Sequence, residues 1–442
     1  MAIADKAPEV LDPNGEVVLE PRRAWSITIM VTLLAAISFA DKAVLGIVAR
    51  PMAEDIGLTN ADIGFMGSAF YATFLVTALV GSLIADRLHL TIGLAVLAVT
   101  WSIAQLPVLI AASFAGVLAS RLMLGFFEGP ASAMCNGIAF SWFPAQKRGL
   151  PAAFITSGTS IAKIALAPAL TLIVAAWGWK AAFVAMAIVG LVWTAVWLLI
   201  GKEGPYAARA ARAAALKQGQ RRGVPLLMVM KRPTFWGGLL GMFALYAQVA
   251  VILTWLPSYL EEGLGYSRVN SGLLFALPSV SGMAIMLLGS YVADRLSAKG
   301  ATERASRISI SAVVMTIGGL MLVAIPFVPG SAFPLALVVV GYGMAVLAFP
   351  LMIAVVSYIA PDRQVASIVG LFVAIYTTGG LVGPWLTGML VDGADTPVEG
   401  YGLAFMVFGL ASAAGGVLLH LTAYPERDRD VLAEANQRIA AS

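Results

Sequence analysis

Gly81-Ser-Leu-Ile-Ala-Asp-Arg-Leu88 recurs as Gly289-Ser-Tyr-Val-Ala-Asp-Arg-Leu296, with six of eight residues identical, at an offset of 208 in a 442-residue chain. Each octet follows an apolar run and ends in an adjacent acid and base, as a membrane helix does on meeting water. The offset divides the chain into two related halves. Duplicated helical units with a ligand site near the midplane between them are a common plan among secondary transporters.

Working outward from the octets, hydrophobic residues make up 60% of the chain and charged residues 12%, and the mean hydropathy is +0.89. A soluble domain is about a quarter charged. So little charge cannot cover a water-soluble particle of this size, so the natural solvent of most of the chain is lipid. Crossing ~30 Å of hydrocarbon takes about 20 apolar residues as helix. Apolar runs and their breakers place spans at 24–48, 62–84, 90–111, 114–141, 150–175 and 180–200. After a polar gap they continue at 235–260, 270–292, 307–328, 333–359, 365–391 and 401–424. The expectation is an all-α membrane protein of twelve transmembrane helices in two pseudo-symmetric six-helix bundles. Residues 24–200 form the first bundle, 201–234 a linker and 235–424 the second bundle, with tails at 1–23 and 425–442.

Basic residues set the orientation. With the N-terminus in the cytoplasm, only Arg50, Lys180 and Arg268 fall in outer loops, and Lys42, Arg121 and Lys163 lie inside spans. All other Lys and Arg lie in inner segments, eight of them in the linker. Both termini are therefore expected inside, at a bacterial cytoplasmic (inner) membrane. Residues 1–23 carry Asp5, Glu9, Asp12, Glu16 and Glu20 and are too polar for a cleavable signal, so the first apolar run should remain as a helix. The linker reads as a basic tether, or as a short interfacial helix against anionic lipid.

Several function classes lose their footing here. Cys135 has no partner cysteine and sits in an apolar stretch, where a thiol acts as a small hydrophobe. His89 and His420 lie at segment ends, so no metal site and no cofactor are expected. No Gly-x4-Gly-Lys-Ser/Thr loop is present to drive an ATP pump. No nucleophile–base constellation suggests an enzyme. The expected partners are a small organic anion, protons and the lipid bilayer, with no nucleic acid, and a functional monomer is expected.

An ionised side chain at a helix centre costs about 2.5–3.5 kcal/mol even on translocon scales, so such residues face partners or a wet cavity. Five lie well inside the spans: Asp41 and Lys42 on the first, Arg121 and Glu128 on the fourth, Lys163 on the fifth. At ~1.5 Å per residue, Asp41, Lys42 and Arg121 each lie ~10 Å below the outer surface. That depth suggests an Asp41–Arg121 pair, with Lys42 left for substrate; a static pair tying the two helices together is the competing reading. Glu128 follows Arg121 by two helical turns on the same face. Lys163 either pairs with Glu128 or serves as a further cation for a second carboxylate on the substrate. Further candidates for substrate contact are Tyr71, Thr159, Tyr246, Gln248, Trp255, Tyr259 and Thr377. Asp86, Arg87, Asp294 and Arg295, from the octets, are candidates for a conformational latch.

The octets resemble the Asp-Arg motif that the major facilitator superfamily carries after its second and eighth spans. Within that superfamily the chain resembles the anion:cation symporter family along nearly its whole length. The resemblance rests on Asp41-Lys42, on Arg121-Leu-Met-Leu-Gly-Phe-Phe-Glu128 followed by Ser141-Trp-Phe-Pro144 and Lys147-Arg148-Gly149, on Trp255-Leu-Pro-Ser-Tyr-Leu260, and on Gly379-Gly380-Leu-Val-Gly383-Pro384. It implies proton-driven symport of an organic anion such as a sugar acid or aromatic carboxylate. Thr377 and the apolar Val373 stand where sugar-acid members tend to have Asn, which shifts weight from a polyhydroxylated substrate toward a more apolar or aromatic carboxylate.

The physical basis for symport is competition. A carboxylate in a dry cavity is easier to protonate when it is desolvated and harder when a cation sits beside it. An anion arriving at Arg121 and Lys42 takes that cation away, so anion and proton bind together at Glu128 or Asp41. The alternative is a proton-coupled efflux antiporter of the same fold, which would favour acids and aromatics over three membrane cations.

Overall fold

A computed structural model of the chain describes residues 20–84, 89–143, 149–206, 224–361 and 364–441. In lipid every backbone polar group must be satisfied within the segment, and helices do this. Eleven helical runs are long and apolar enough to cross a membrane among the described residues. The first half holds α1 (Pro21–Ile56), α2 (Asn60–Ile84), α3 (Leu90–Ile110), α6 (Leu150–Trp177) and α7 (Trp179–Ile200). The second holds α8 (Pro233–Gly263), α9 (Arg268–Ala298), α10 (Arg304–Phe327), α11 (Ala332–Ile359), α12 (Ile368–Asp392) and α13 (Pro397–Thr422).

The fourth expected span is divided into α4 (Phe114–Glu128) and α5 (Ala131–Phe140). Ser113 caps α4, accepting from the Gly116 N–H at 3.2 Å. Gly129 and Pro130 interrupt the run, because glycine favours helix least among ordinary residues and proline has no N–H to give. Glu128 is thereby the last residue of α4, beside a break rather than within a turn.

Two other boundaries differ from expectation. α1 runs on past residue 48, through Pro51, to Ile56, where Gly57 ends it with a positive φ of 68°. The expected C-terminal tail contains a further helix, α14 (Pro425–Ala441), which buries Leu432 against the second bundle. Its carboxylates cap other helices: Asp428 accepts from the Thr234 N–H of α8 at 3.0 Å, and Glu426 from the Arg304 N–H of α10 at 3.0 Å. A negative side chain is favoured at these helix N-termini. Residues 207–223, most of the expected linker, lie outside the described residues.

The two halves meet at the end of the bundle remote from Pro21 and Pro425. There Asp392 of α12 binds the start of α2, and Ser68 of α2 accepts from the Trp385 N–H at 3.1 Å. Arg50 pairs with Glu262, and Arg268 lies 3.8 Å from Glu54. α1 and α8 cross so closely that a Cβ at Gly46 would meet the Leu253 carbonyl at 2.6 Å. This end of the molecule is closed.

Of the expected latch, Asp294 is largely exposed and pairs with Arg307 at 3.2 Å, and Arg307 also pairs with Glu303. Arg295 lies over the Tyr291 ring at 4.9 Å. Asp86 and Arg87, in the first octet, lie outside the described residues.

Candidate functional site

α1 presents Ser38 and Lys42 one turn apart on one face, and both bond the same Glu128 carboxylate oxygen. α4 reaches this position because it lies tightly on α2: a Cβ at Gly125 would collide with the Phe70 carbonyl. Glu128 is 2% exposed, and its second oxygen, Oε2, is buried with no hydrogen-bond partner among the described residues. The Lys42 ammonium lies 5.4–5.7 Å from the centroids of Phe74, Phe70 and Phe39, a cage of ring faces suited to a cation.

This pairing corrects the expected one. Arg121 does not form an ion pair with the Asp41 carboxylate; its Nη1 donates to the Asp41 backbone carbonyl at 2.8 Å. The Asp41 carboxylate instead accepts from Gln105 Nε2 of α3, also at 2.8 Å. Nor does Lys163 pair with Glu128: it donates to the Tyr342 hydroxyl of α11 at 2.9 Å. Equal depth placed Asp41 and Arg121 side by side, but helix rotation turned the Asp41 side chain toward α3. Arg121 is 1% exposed, and its Nε and Nη2 are buried without partners among the described residues. A guanidinium with two nitrogens free of hydrogen bonds has the geometry to take a planar anion.

Lys42 and Arg121 line one cavity with Phe70 and Tyr71 from the first half, closed by Leu253 and Thr254 from the second. Its volume is about 10 Å³, room for a single water. The cavity therefore marks a contracted site between the halves, and an organic solute requires it to widen.

The polar and aromatic candidates divide. Tyr71 is buried and meets Tyr246 edge-on across the halves, with centroids 5.9 Å apart; Tyr246 in turn packs on Tyr376 and Phe349. Gln248 is 1% exposed with both amide atoms unpartnered among the described residues. Thr159 and Thr377 donate to carbonyls of their own helices, Thr156 at 2.9 Å and Ala374 at 2.8 Å. Trp255 and Tyr259 do not line that cavity and pack between helices. Trp255 Nε1 donates to the Pro384 carbonyl at 2.9 Å, and Tyr259 stacks edge-on against Phe405 at 4.8 Å. They fasten α8 to α12 and α13, as large aromatics near a helix end commonly do.

Sequence reasoning missed Ser38, Gln105, Phe39, Phe70, Phe74 and Tyr342. Ser38 had a signal, lying one turn before Lys42 on the same face. Gln105 had a weaker one, an amide within an apolar run. Tyr342 had none, because its partner Lys163 belongs to the other half.

The sequence profile of the Major Facilitator Superfamily matches residues 31–371. A hexuronate transporter of Bacillus subtilis (strain 168) is 26% identical over 84% of this chain and 88% of its own length. A D-galactonate transporter of Escherichia coli is 26% identical over 90% of this chain and 95% of its own. The crystal structure of a D-xylose–proton symporter superposes with a TM-score of 0.74 at 18% identity, covering 91% of this chain and 99% of that one.

Proposed function

The chain belongs to the Major Facilitator Superfamily, and from that premise we propose that it is a secondary active transporter that takes up a small organic anion together with protons by alternating access. The observation that carries this reading is that Lys42, bonded to Glu128, and Arg121 line one small cavity between the halves. Similarity to proteins named as hexuronate and D-galactonate transporters supports an organic anion as the cargo. The ring cage around Lys42 favours a carboxylate with an apolar or aromatic body as much as a sugar acid.

The coupling runs through Lys42. In the structure its charge is held by Glu128. A substrate carboxylate binds the free donors of Arg121 and competes with Glu128 for Lys42. Glu128 then loses its cation in a desolvated place, and its carboxylate takes a proton. The proton offsets the charge of a bound monoanion, so the filled site gains no net charge and the halves can rock without moving an added charge through a closed interface. Asp41, held by Gln105, is the position for a second proton. One proton with a monoanion is electroneutral; a second adds ~2.3 kcal/mol per 100 mV of membrane potential.

The excess of basic residues at the end bearing the termini supports an N-in, C-in orientation in a bacterial inner membrane. The closed end then faces outward. Both halves of one chain build the cavity, so a monomer suffices. Purified protein in liposomes tests the proposal. Acidification of the outside should drive accumulation of a labelled carboxylate, and the Arg121→Gln protein should accumulate none. Accumulation that ignores the pH gradient would overturn the proton-coupled reading.

A further inference from the structure

Lys163 stands apart from the Lys42–Glu128–Arg121 group. It lies in the π-helical turn Ala162–Leu166 of α6. Such a turn adds one residue to the helical repeat and re-aims its side chains, and these turns concentrate at functional sites. Here the ammonium is sent across to the other half. It donates to the Tyr342 hydroxyl at 2.9 Å and lies 5.2 Å from that ring's centroid. Phe39 lies on its way to Lys42: the Phe39 centroid is 4.9 Å from the Lys163 ammonium and 5.7 Å from that of Lys42. The two cations are thus no farther apart than those two distances laid end to end.

Their neutralisation differs. Lys42 has Glu128. Among the described residues Lys163 has no carboxylate within salt-bridge distance, only a neutral phenol and two ring faces. A cation held midway along a membrane helix without a counter-ion is costly, and such residues mark solute paths.

We infer that Lys163 and Tyr342 form a second anion subsite, so that the preferred substrate is a short dicarboxylate held at both ends. One carboxylate goes to Arg121 and Lys42; the other takes the Lys163 ammonium and the Tyr342 hydroxyl. The inference rests on the anion-transport reading and specifies its substrate class. A monocarboxylate of the same length leaves Lys163 with its phenol alone. Sites built to pair a buried charge discriminate strongly against ligands that leave it unpaired. Because Tyr342 belongs to the second half, the second carboxylate also ties the halves together.

The test is competition binding on the purified full-length chain, with succinate, adipate and phthalate set against butyrate, hexanoate and benzoate. The wild type should prefer the diacid of each pair by about tenfold or more. Lys163→Gln should lose most of that preference by weakening diacid binding while leaving monoacid binding unchanged. Tyr342→Phe should do the same to a smaller extent, and monoacid binding confirms in the same samples that both variants are folded. Equal loss for diacids and monoacids, or an unchanged preference, overturns the second subsite. A wild type that binds monoacids better also overturns it and leaves the Arg121–Lys42 site standing. A wild type that binds neither class overturns the anion reading itself.

Discussion

Asp392 caps a helix of the opposite half at Asn60: its carboxylate accepts from the Asn60 N–H at 3.1 Å and the Asn60 side-chain amide at 2.8 Å, and also from the Ala61 N–H at 2.7 Å. A carboxylate at the first turn of a helix satisfies N–H groups that have no partner within it and meets the positive end of the helix dipole. Here the cap crosses the interface between the halves, which under the proposed alternating access has to open, so in that proposal the helix start acts as a catch.

Asp392→Ala should release that catch. Removing a helix cap costs ~1 kcal/mol, which changes the ratio of open to closed forms at this end about fivefold. Spin labels at positions 58 and 395 would report it. The variant should show a larger long-distance population, and an unchanged distance distribution would mean that the cap does not hold the interface.

Asp428→Ala removes the equivalent cap that α14 places on α8. It lies far from the cavity, so it should lower thermal stability by ~1 kcal/mol and leave carboxylate affinity unchanged. The thermal transition of the purified protein, with and without ligand, separates the two effects. Loss of affinity without loss of stability would contradict the purely structural role.

Arg121→Gln keeps a polar side chain but loses the charge and the two free donors. Carboxylate binding should weaken about thirtyfold or more, in line with a lost charge-assisted hydrogen-bonding pair. Arg121→Lys should recover only part of that loss, because a point charge lacks the fork. Affinity within threefold of the wild type in Arg121→Gln would remove Arg121 from the substrate site, and full recovery in Arg121→Lys would show that the charge acts without the fork.

Much of the fold was legible because lipid leaves the chain few choices: an apolar run must be a helix, and a recurring octet marks a recurring unit. The interruption at Gly129-Pro130 was visible as residues but not as a helix end, since prolines within membrane helices are often absorbed. The α14 helix was hidden because Pro425–Ala441 is polar, and only its contact with the second bundle decides its form. Within the site, Asp41, Lys42, Arg121, Glu128 and Lys163 stood out because charge in lipid is costly. Their partners did not. Depth along a helix can be counted in residues, but which of two equally deep acids a cation meets depends on helix rotation and on contacts such as that of Gly125 with Phe70. Lys163 and Tyr342 meet through a π turn that has no reliable sequence signature.

Glu128→Gln mimics the protonated acid and holds the site in one state of charge. Counterflow exchange of a labelled carboxylate across liposomes should persist in this variant, while uptake driven by outside acidification should cease. In the wild type, uptake should rise as the outside pH falls, because binding then finds more protons to take up; in the variant it should be flat. Retained pH-driven accumulation would show that another group carries the proton.

The most direct measurement is the number of protons absorbed when a carboxylate binds, read by calorimetric titration of the purified chain in buffers of different ionisation enthalpy. The ligand is the carboxylate that most raises the protein's thermal transition. Competition between substrate and Glu128 for Lys42 predicts net proton uptake near pH 7 in the wild type and none at that site in Glu128→Gln. Binding without proton uptake in the wild type, or the same uptake in both proteins, would contradict it.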